Sequence, residues 1–210
     1  MNLKKQKLKV YLLRHGEIVP GNSFVGQRDL PLSEEGLRQA QWWNEIFREV
    51  ELDRVCCSDL GRTVQTAEII SGRRKEMLTL IPEFREIRLG DWEGRAVVEI
   101  AQRFPEQWEE RGACPATFRP PRGESFHDLR ERVIPAFKQA IDKARGHTMI
   151  VSHAGVNRVI LYHLLGAPLG NVFRLRQDYG CLNIMEFDGE LFQICVVNMR
   201  PGPNVRFRIQ

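Results

Sequence analysis

With 210 residues the chain suits one domain, and a chain of this length can bury roughly 70% of the surface its unfolded form exposes without disulfide or metal staples. Hydrophobic residues at 42% and charged residues at 28% exclude a disordered chain, and a formal charge of +4 (31 basic against 27 acidic residues) is too small to argue for nucleic acid. Five cysteines without metal-ligand spacing fit a reducing compartment, so a cytoplasmic protein without a structural metal is expected.

In chain order, the basic leader Lys4, Lys5 and Lys7 reads as a solvated face. The apolar run that follows stops at Arg14, too short for a signal peptide, and no stretch reaches membrane-spanning length. Leu8 to Leu13 reads as a buried strand ending at Arg14-His15-Gly16. Ser33 is a plausible N-cap for a helix on which Leu37, Ala40, Trp43, Ile46, Phe47 and Val50 recur at helical spacing. Asp53 to Ser58 reads as a second strand, in which Cys56 and Cys57 point to opposite faces. Ser58 or Asp59 is expected to cap the next helix, through Ala67 to Ile70, with Arg73-Arg74-Lys75 complementing its C-terminal dipole.

Leu78 to Ile81 suggests a short strand before Pro82, and Ala96 to Trp108 a helix with Pro105 as a candidate break. Arg111 to Gly123 reads as a Pro/Gly-rich loop. Ser125 with Asp128 three residues on resembles a helix start, and the helix is expected to reach Ala144 with a kink at Pro135. Thr148 to Val151 is a β-rich run ending at Ser152-His153-Ala154-Gly155, followed by a helix from Val156 to Leu165. Cys181 to Phe187 and Leu191 to Val197 flank Asp188-Gly189 as a hairpin, with Cys181 and Cys195 expected in the core. Alternating strands and helices predict an α/β fold of three layers, a mostly parallel central sheet with helices on both faces. Residues 1–210 read as a single domain, with a lid around 95–123.

Three polar clusters follow predicted strands: Arg14-His15-Gly16-Glu17, Ser58 through Arg62, and Ser152-His153-Ala154-Gly155. In open α/β sheets the carboxyl ends of the strands converge on one ligand crevice. Two arginines, two histidines and helix N-termini meeting there would make a phosphate pocket. Each residue alone has a bland explanation as a solvated or paired side chain; four such explanations in equivalent positions are much harder to sustain.

Leu13-Arg14-His15-Gly16-Glu17 resembles the signature of the histidine phosphatase superfamily, which includes the cofactor-dependent phosphoglycerate mutases. The resemblance continues through Pro31-Leu32-Ser33-Glu34-Glu35-Gly36, Ser58-Asp59-Leu60-Gly61-Arg62-Thr63, Glu86 before Leu89-Gly90-Asp91-Trp92-Glu93-Gly94, Gly123-Glu124-Ser125 and Val151-Ser152-His153-Ala154-Gly155, over about residues 8 to 198. It implies a phosphoglycerate mutase-like fold and a metal-independent phosphatase without a cofactor. His15 would be the nucleophile, its second ring nitrogen donating to a backbone carbonyl. Arg14, Arg62 and His153 would hold the phosphoryl oxygens. Glu86 would protonate the leaving oxygen and then activate water, against the alternative of an ion pair with Arg85 or Arg88. Glu17 would be structural, and Glu124 and Ser125 would start a helix.

Many relatives carry Thr three residues and Asn six residues after the nucleophile; here those places hold Ile18 and Gly21, with Asn22 displaced by one. Asn22 and Arg28 are the remaining candidates for substrate binding, Arg28 at the outer rim. The segment Glu86 to Trp92 follows the smaller phosphatases rather than the mutases, so hydrolysis is favoured over mutase activity. Val25 to Pro31, Arg122 to Ser125 and Asp178 to Cys181 look like α-ribazole phosphatases of cobalamin synthesis, a pattern shared with broad-specificity sugar phosphatases. Trp92, Trp108 and Phe118 could stack on a flat base, but read better as core or lid anchors. The expected partner is a small phosphorylated metabolite, bound by a monomer or homodimer. The rival from another class is a phosphate-binding protein without turnover.

Overall fold

The computed structural model describes residues 7–19 and 23–202. Six strands form one sheet in the order β3-β2-β4-β1-β5-β6, with β1 at Leu8–Arg14, β2 at Arg54–Cys57, β3 at Thr79–Leu80, β4 at Thr148–Ser152, β5 at Leu182–Phe187 and β6 at Phe192–Met199. β3, β2, β4 and β1 run parallel; β5 returns antiparallel beside β1, and β6 pairs antiparallel with β5. The sheet is therefore mixed, with an antiparallel hairpin on a parallel four-stranded body.

Side-chain alternation on the inner strands builds the two cores. Val10, Leu12, Cys56 and Ile150 face one side, against Leu129, Val133 and Phe137 of α5 (Phe126–Asp142) and Val156, Val159 and Ile160 of α6 (Ala154–Leu164). Tyr11, Leu13, Val55, Cys57 and Met149 face the other, against Ala40, Trp43 and Phe47 of α1 (Glu34–Phe47) and Val64, Ala67 and Ile70 of α2 (Gly61–Ser71). Inner strands buried on both faces read as continuous apolar runs, which is what the sequence shows. A third cluster of Phe24, Trp92, Ile100 and Phe118 seats α3 (Val97–Arg103) and α4 (Pro105–Ala113) beside the sheet. Trp92 and Phe118 are thus buried anchors, with Trp108 packed against them.

Most helix ends follow their sequence signals. Ser33 caps α1 by accepting from Gly36 N–H at 3.0 Å, and Ser125 with Asp128 forms a capping box on α5, which continues through Pro135. Pro105 splits the expected long helix into α3 and α4, because its ring fits the first position of a helix and not an interior one. Four expectations differ. α4 runs to Ala113, so residues 111–113 are helical rather than loop. Leu60, without a side-chain cap, begins α2, since the Ser58 hydroxyl is engaged elsewhere and Asp59 pairs with Arg85 at 2.5 Å. Arg73 leaves the end of α2 and donates to the carbonyls of Leu52 and Asp53. Cys195 is exposed, because β6 is an edge strand whose alternate residues are half-buried and the others exposed, whereas Cys181 is fully buried.

Candidate active site

The chain leaves β1 at Arg14 beside the end of β4, in the register Arg14↔Ser152. Two further backbone bonds pin the next residue: His15 N–H donates to Ser152 O, and His15 O accepts from Gly180 N–H, each at 3.0 Å. Gly16 follows because a Cβ there would lie 2.5 Å from the Gly36 carbonyl oxygen. Two glycines back to back let the start of α1 close on the loop after β1, and Glu17 completes the joint by accepting from Ser33 Oγ at 3.1 Å.

His15 is 3% exposed, and its Nδ1 lies 2.7 Å from the Gly16 carbonyl oxygen. A carbonyl only accepts, so Nδ1 carries the proton and Nε2 presents a lone pair. Burial, and then the charges of Arg14 and Arg62, hold its pKa well below the usual histidine range. His153 is fully buried, with its ring centroid 5.1 Å from that of His15 and its Nε2 2.8 Å from Ser58 Oγ. Burial, then Arg62 and His15, depress its pKa in the same way.

The two guanidiniums are anchored from behind. Arg62, 1% exposed, donates to the carbonyls of Arg28 (2.5 Å) and Gly26 (2.8 Å). Arg14 donates to the Gln177 carbonyl at 2.7 Å, and its guanidinium carbon sits 3.6 Å from the centroid of the Tyr179 ring. Gln177 in turn belongs to a buried amide network with Asn157 and Asn183. Five buried side-chain polar atoms lack a partner among the described residues, and three of them, Arg14 Nε, Arg62 Nε and His153 Nδ1, belong to residues that neighbour His15. An unmatched buried polar group costs about 1–3 kcal/mol, so such a cluster suits a ligand rich in acceptors.

Glu86 lines a cavity of about 150 Å³ with Arg14, His15, Arg62 and Tyr179. It forms no pair with Arg85 or Arg88; its carboxylate accepts from Ile87 N–H (2.9 Å) and Gly155 N–H (3.1 Å to each oxygen). The α6 N-terminus, expected to offer its donors to phosphate, therefore holds the acid. Arg132 fixes the backbone beneath, donating to the carbonyls of Glu83, Arg85 and Glu86 while pairing with Glu124 at 2.9 Å. Glu124 and Ser125 stand at the helix start, as expected, and Glu124 also serves this clamp.

Arg14, His15, Arg62, Glu86 and His153 thus meet at one place. The exposed Arg28 side chain lies against Gly94 and does not line the cavity; its carbonyl, not its guanidinium, serves the site. Asn22 lies outside the described residues. Sequence reasoning missed Tyr179 as the platform under Arg14, Ser58 as the partner of His153, and Arg132 as the clamp behind Glu86. The Tyr179-Gly180 turn carried a faint signal: Gly180 has φ +64° and its carbonyl accepts from Trp43 Nε1 at 2.6 Å, but only the fold brings that turn to Arg14.

The model of the Histidine phosphatase superfamily (branch 1) matches residues 10–200. The Escherichia coli (strain K12) protein named Adenosylcobalamin/alpha-ribazole phosphatase is 28% identical over 197 residues, covering 92% of this chain and 97% of that protein. A Yersinia pestis protein named Probable phosphoglycerate mutase GpmB is 35% identical over 175 residues, 80% of each chain. The solved structure of Bacillus stearothermophilus YhfR superposes with a TM-score of 0.84 at 32% identity, over 91% of this chain and 97% of that one. Among the described residues, no helix is long and apolar enough to cross a membrane.

Proposed function

The chain belongs to the histidine phosphatase superfamily, and on that premise we propose that it hydrolyses phosphomonoesters without a metal, through a phosphoryl group carried on His15. The reading rests chiefly on three unmatched buried nitrogens of Arg14, Arg62 and His153, the residues beside His15, whose Nε2 carries the lone pair. A tetrahedral anion supplies acceptors to Arg14 and Arg62, and His153 Nδ1 donates to it when protonated. The pocket's own cations supply charge neutralisation that other phosphatases take from metal ions.

In this reading His15 Nε2 attacks phosphorus, forming a P–N bond as the bond to the ester oxygen breaks. The Glu86 carboxyl gives its proton to that oxygen and the alcohol departs. Glu86, now a carboxylate, takes a proton from water as the water oxygen attacks phosphorus; the P–N bond breaks, and inorganic phosphate leaves with Nε2 restored. Arg14 and Arg62 spread the charge on the equatorial oxygens in both steps.

The relatives' names supply esters to try, α-ribazole 5′-phosphate and 3-phosphoglycerate, both small phosphorylated metabolites. Five free cysteines, three of them buried, support a reducing and therefore cytoplasmic setting. The decisive experiment follows release of phosphate from these esters in EDTA, with acid-quench capture of ³²P on the protein. Activity that survives EDTA, an acid-labile label, and loss of both in His15→Ala are expected. Activity that requires an added divalent cation, or label retained in His15→Ala, would remove the mechanism.

A further inference from the structure

A second cavity, of about 120 Å³, adjoins the first and shares Phe24, Glu86, Ile87 and Leu89 with it. Two arginines that the phosphoryl chemistry does not use, Arg111 and Arg158, line it. Arg111 comes from the last turn of α4 and is held by ring faces: its guanidinium carbon lies 4.4 Å from the Phe173 centroid, 5.2 Å from Trp108 and 5.7 Å from Phe24. Among the described residues, no carboxylate pairs with it. Burial, and then the charge of Arg158, bring its pKa down to about 10. Arg158 donates to the Leu175 carbonyl at 2.8 Å and feels the charges of Glu86 and Arg14. Glu124 also lines the cavity, but its oxygens are committed to Arg132 and to Arg88 N–H.

A guanidinium partly withdrawn from water gains from an anion or several acceptors that offset its desolvation, and contact with aromatic faces offsets only part. The cavity reaches this cation through Glu86, the group that serves the leaving oxygen in the reaction above. Whatever enters is therefore part of the leaving group, not of the transferred phosphoryl. We propose that Arg111, supported by Arg158, is a specificity-determining residue that receives a second anionic group, a carboxylate or phosphate, on the alcohol portion of the substrate. The inference rests on the phosphatase reading and narrows its substrate class. It also opposes the sequence-level pattern, because the ribazole leaving group carries no anion.

The test compares esters matched except for that charge. 3-Phosphoglycerate and glycerol 3-phosphate differ by a carboxylate in place of a hydroxymethyl group; fructose 1,6-bisphosphate and fructose 6-phosphate differ by a phosphate. The wild-type protein is expected to favour the more anionic member of at least one pair by 10-fold or more in kcat/KM, and which pair responds identifies the group. Arg111→Met is expected to bring that ratio below 3, and Arg111→Lys to keep an intermediate ratio, so that a misfolded methionine variant does not decide the matter alone. A wild-type ratio near 1 in both pairs, a preference for α-ribazole 5′-phosphate over all four, or an unchanged ratio in Arg111→Met overturns the proposal. Calorimetric binding of 3-phosphoglycerate and glycerol 3-phosphate to His15→Ala, with and without Arg111→Met, separates the two readings. Should His15→Ala still hydrolyse esters at the wild-type rate, the nucleophile assignment falls, and the ratio of binding constants still decides the subsite.

Discussion

Gly155 is the second residue of α6, and its N–H holds both oxygens of Glu86 at 3.1 Å. A Cβ built there would fall well inside contact distance of Glu86 Oε1 and lie 3.3 Å from both the Glu86 carboxyl carbon and Leu129 Cδ2. Restoring an ordinary C···O separation moves the carboxylate by about 1 Å. Because the obstructing atom ends a flexible side chain, Gly155→Ala should fold, with a stability change of roughly 1 kcal/mol or less in either direction, since alanine also favours the helix. A 1 Å displacement of a catalytic group is worth about 10²-fold in rate, or about 2.7 kcal/mol. The loss must depend on how much the leaving oxygen needs a proton. The assay is kcat/KM, which reports phosphoryl transfer to His15 whatever limits later hydrolysis, for an alkyl phosphate and for p-nitrophenyl phosphate. A fall of about 10² is expected on the alkyl ester and of less than 10 on the aryl one. Equal losses on both esters, in a variant with wild-type thermal stability, would refute Glu86 as the proton donor.

Two further expectations follow from the same geometry. His15 and His153 are neutral in the fold and accept protons near pH 6.5 only when unfolded, so the unfolded chain binds more protons below that pH. Stability is therefore retained above about pH 6.5 and lost as pH falls below it, by up to about 1.4 kcal/mol per unit for each histidine; urea titrations at pH 7.5, 6.0 and 5.0 should show the fall, and an identical slope in His153→Gln would contradict it. Arg132→Met removes the donors to the carbonyls of Glu83, Arg85 and Glu86 and the partner of Glu124, and should lower stability by about 2–3 kcal/mol in denaturant unfolding; it should also depress the alkyl ester more than the aryl one, and a uniform fall on both would mean that the clamp does not position Glu86.

Much of this was legible in the sequence, for identifiable reasons. Arg14, His15, Ser152 and His153 sit where apolar runs stop, and parallel strands deliver such residues to one edge whatever the intervening lengths. Gly16 and Gly36 were readable as motif letters, but their cause, the contact of one backbone with another, exists only in the fold. Arg132 was hidden because it lies on an amphipathic helix, where an arginine looks like any solvated face. Ser58 misled because strand-end serines commonly cap helices, and here the hydroxyl is taken by Thr63 and His153, at 2.7 and 2.8 Å. Arg28 misled because the loop's carbonyl, and not its charge, does the positioning.

In the proposed mechanism, the electrostatic arrangement explains why the two permanently charged side chains that would hold the anion are arginines. The nucleophile must keep a bare Nε2, which favours placing positive charge beside His15; the phosphoryl group needs the same positive charge, and in the same place. One set of cations meets both demands only if those cations keep their own protons when crowded and dried. Arg62, although burial lowers its pKa, starts so high that it stays charged, whereas an ammonium at 1% exposure would surrender its proton more readily. Burial then acts in one direction on all the partners: it holds His15 and His153 neutral, would strengthen each hydrogen bond to a bound anion, and leaves the three unmatched nitrogens available to a ligand. The modest overall charge of +4 gives no hint of this, because what would select phosphate is not the net charge but the positive charge confined beside His15.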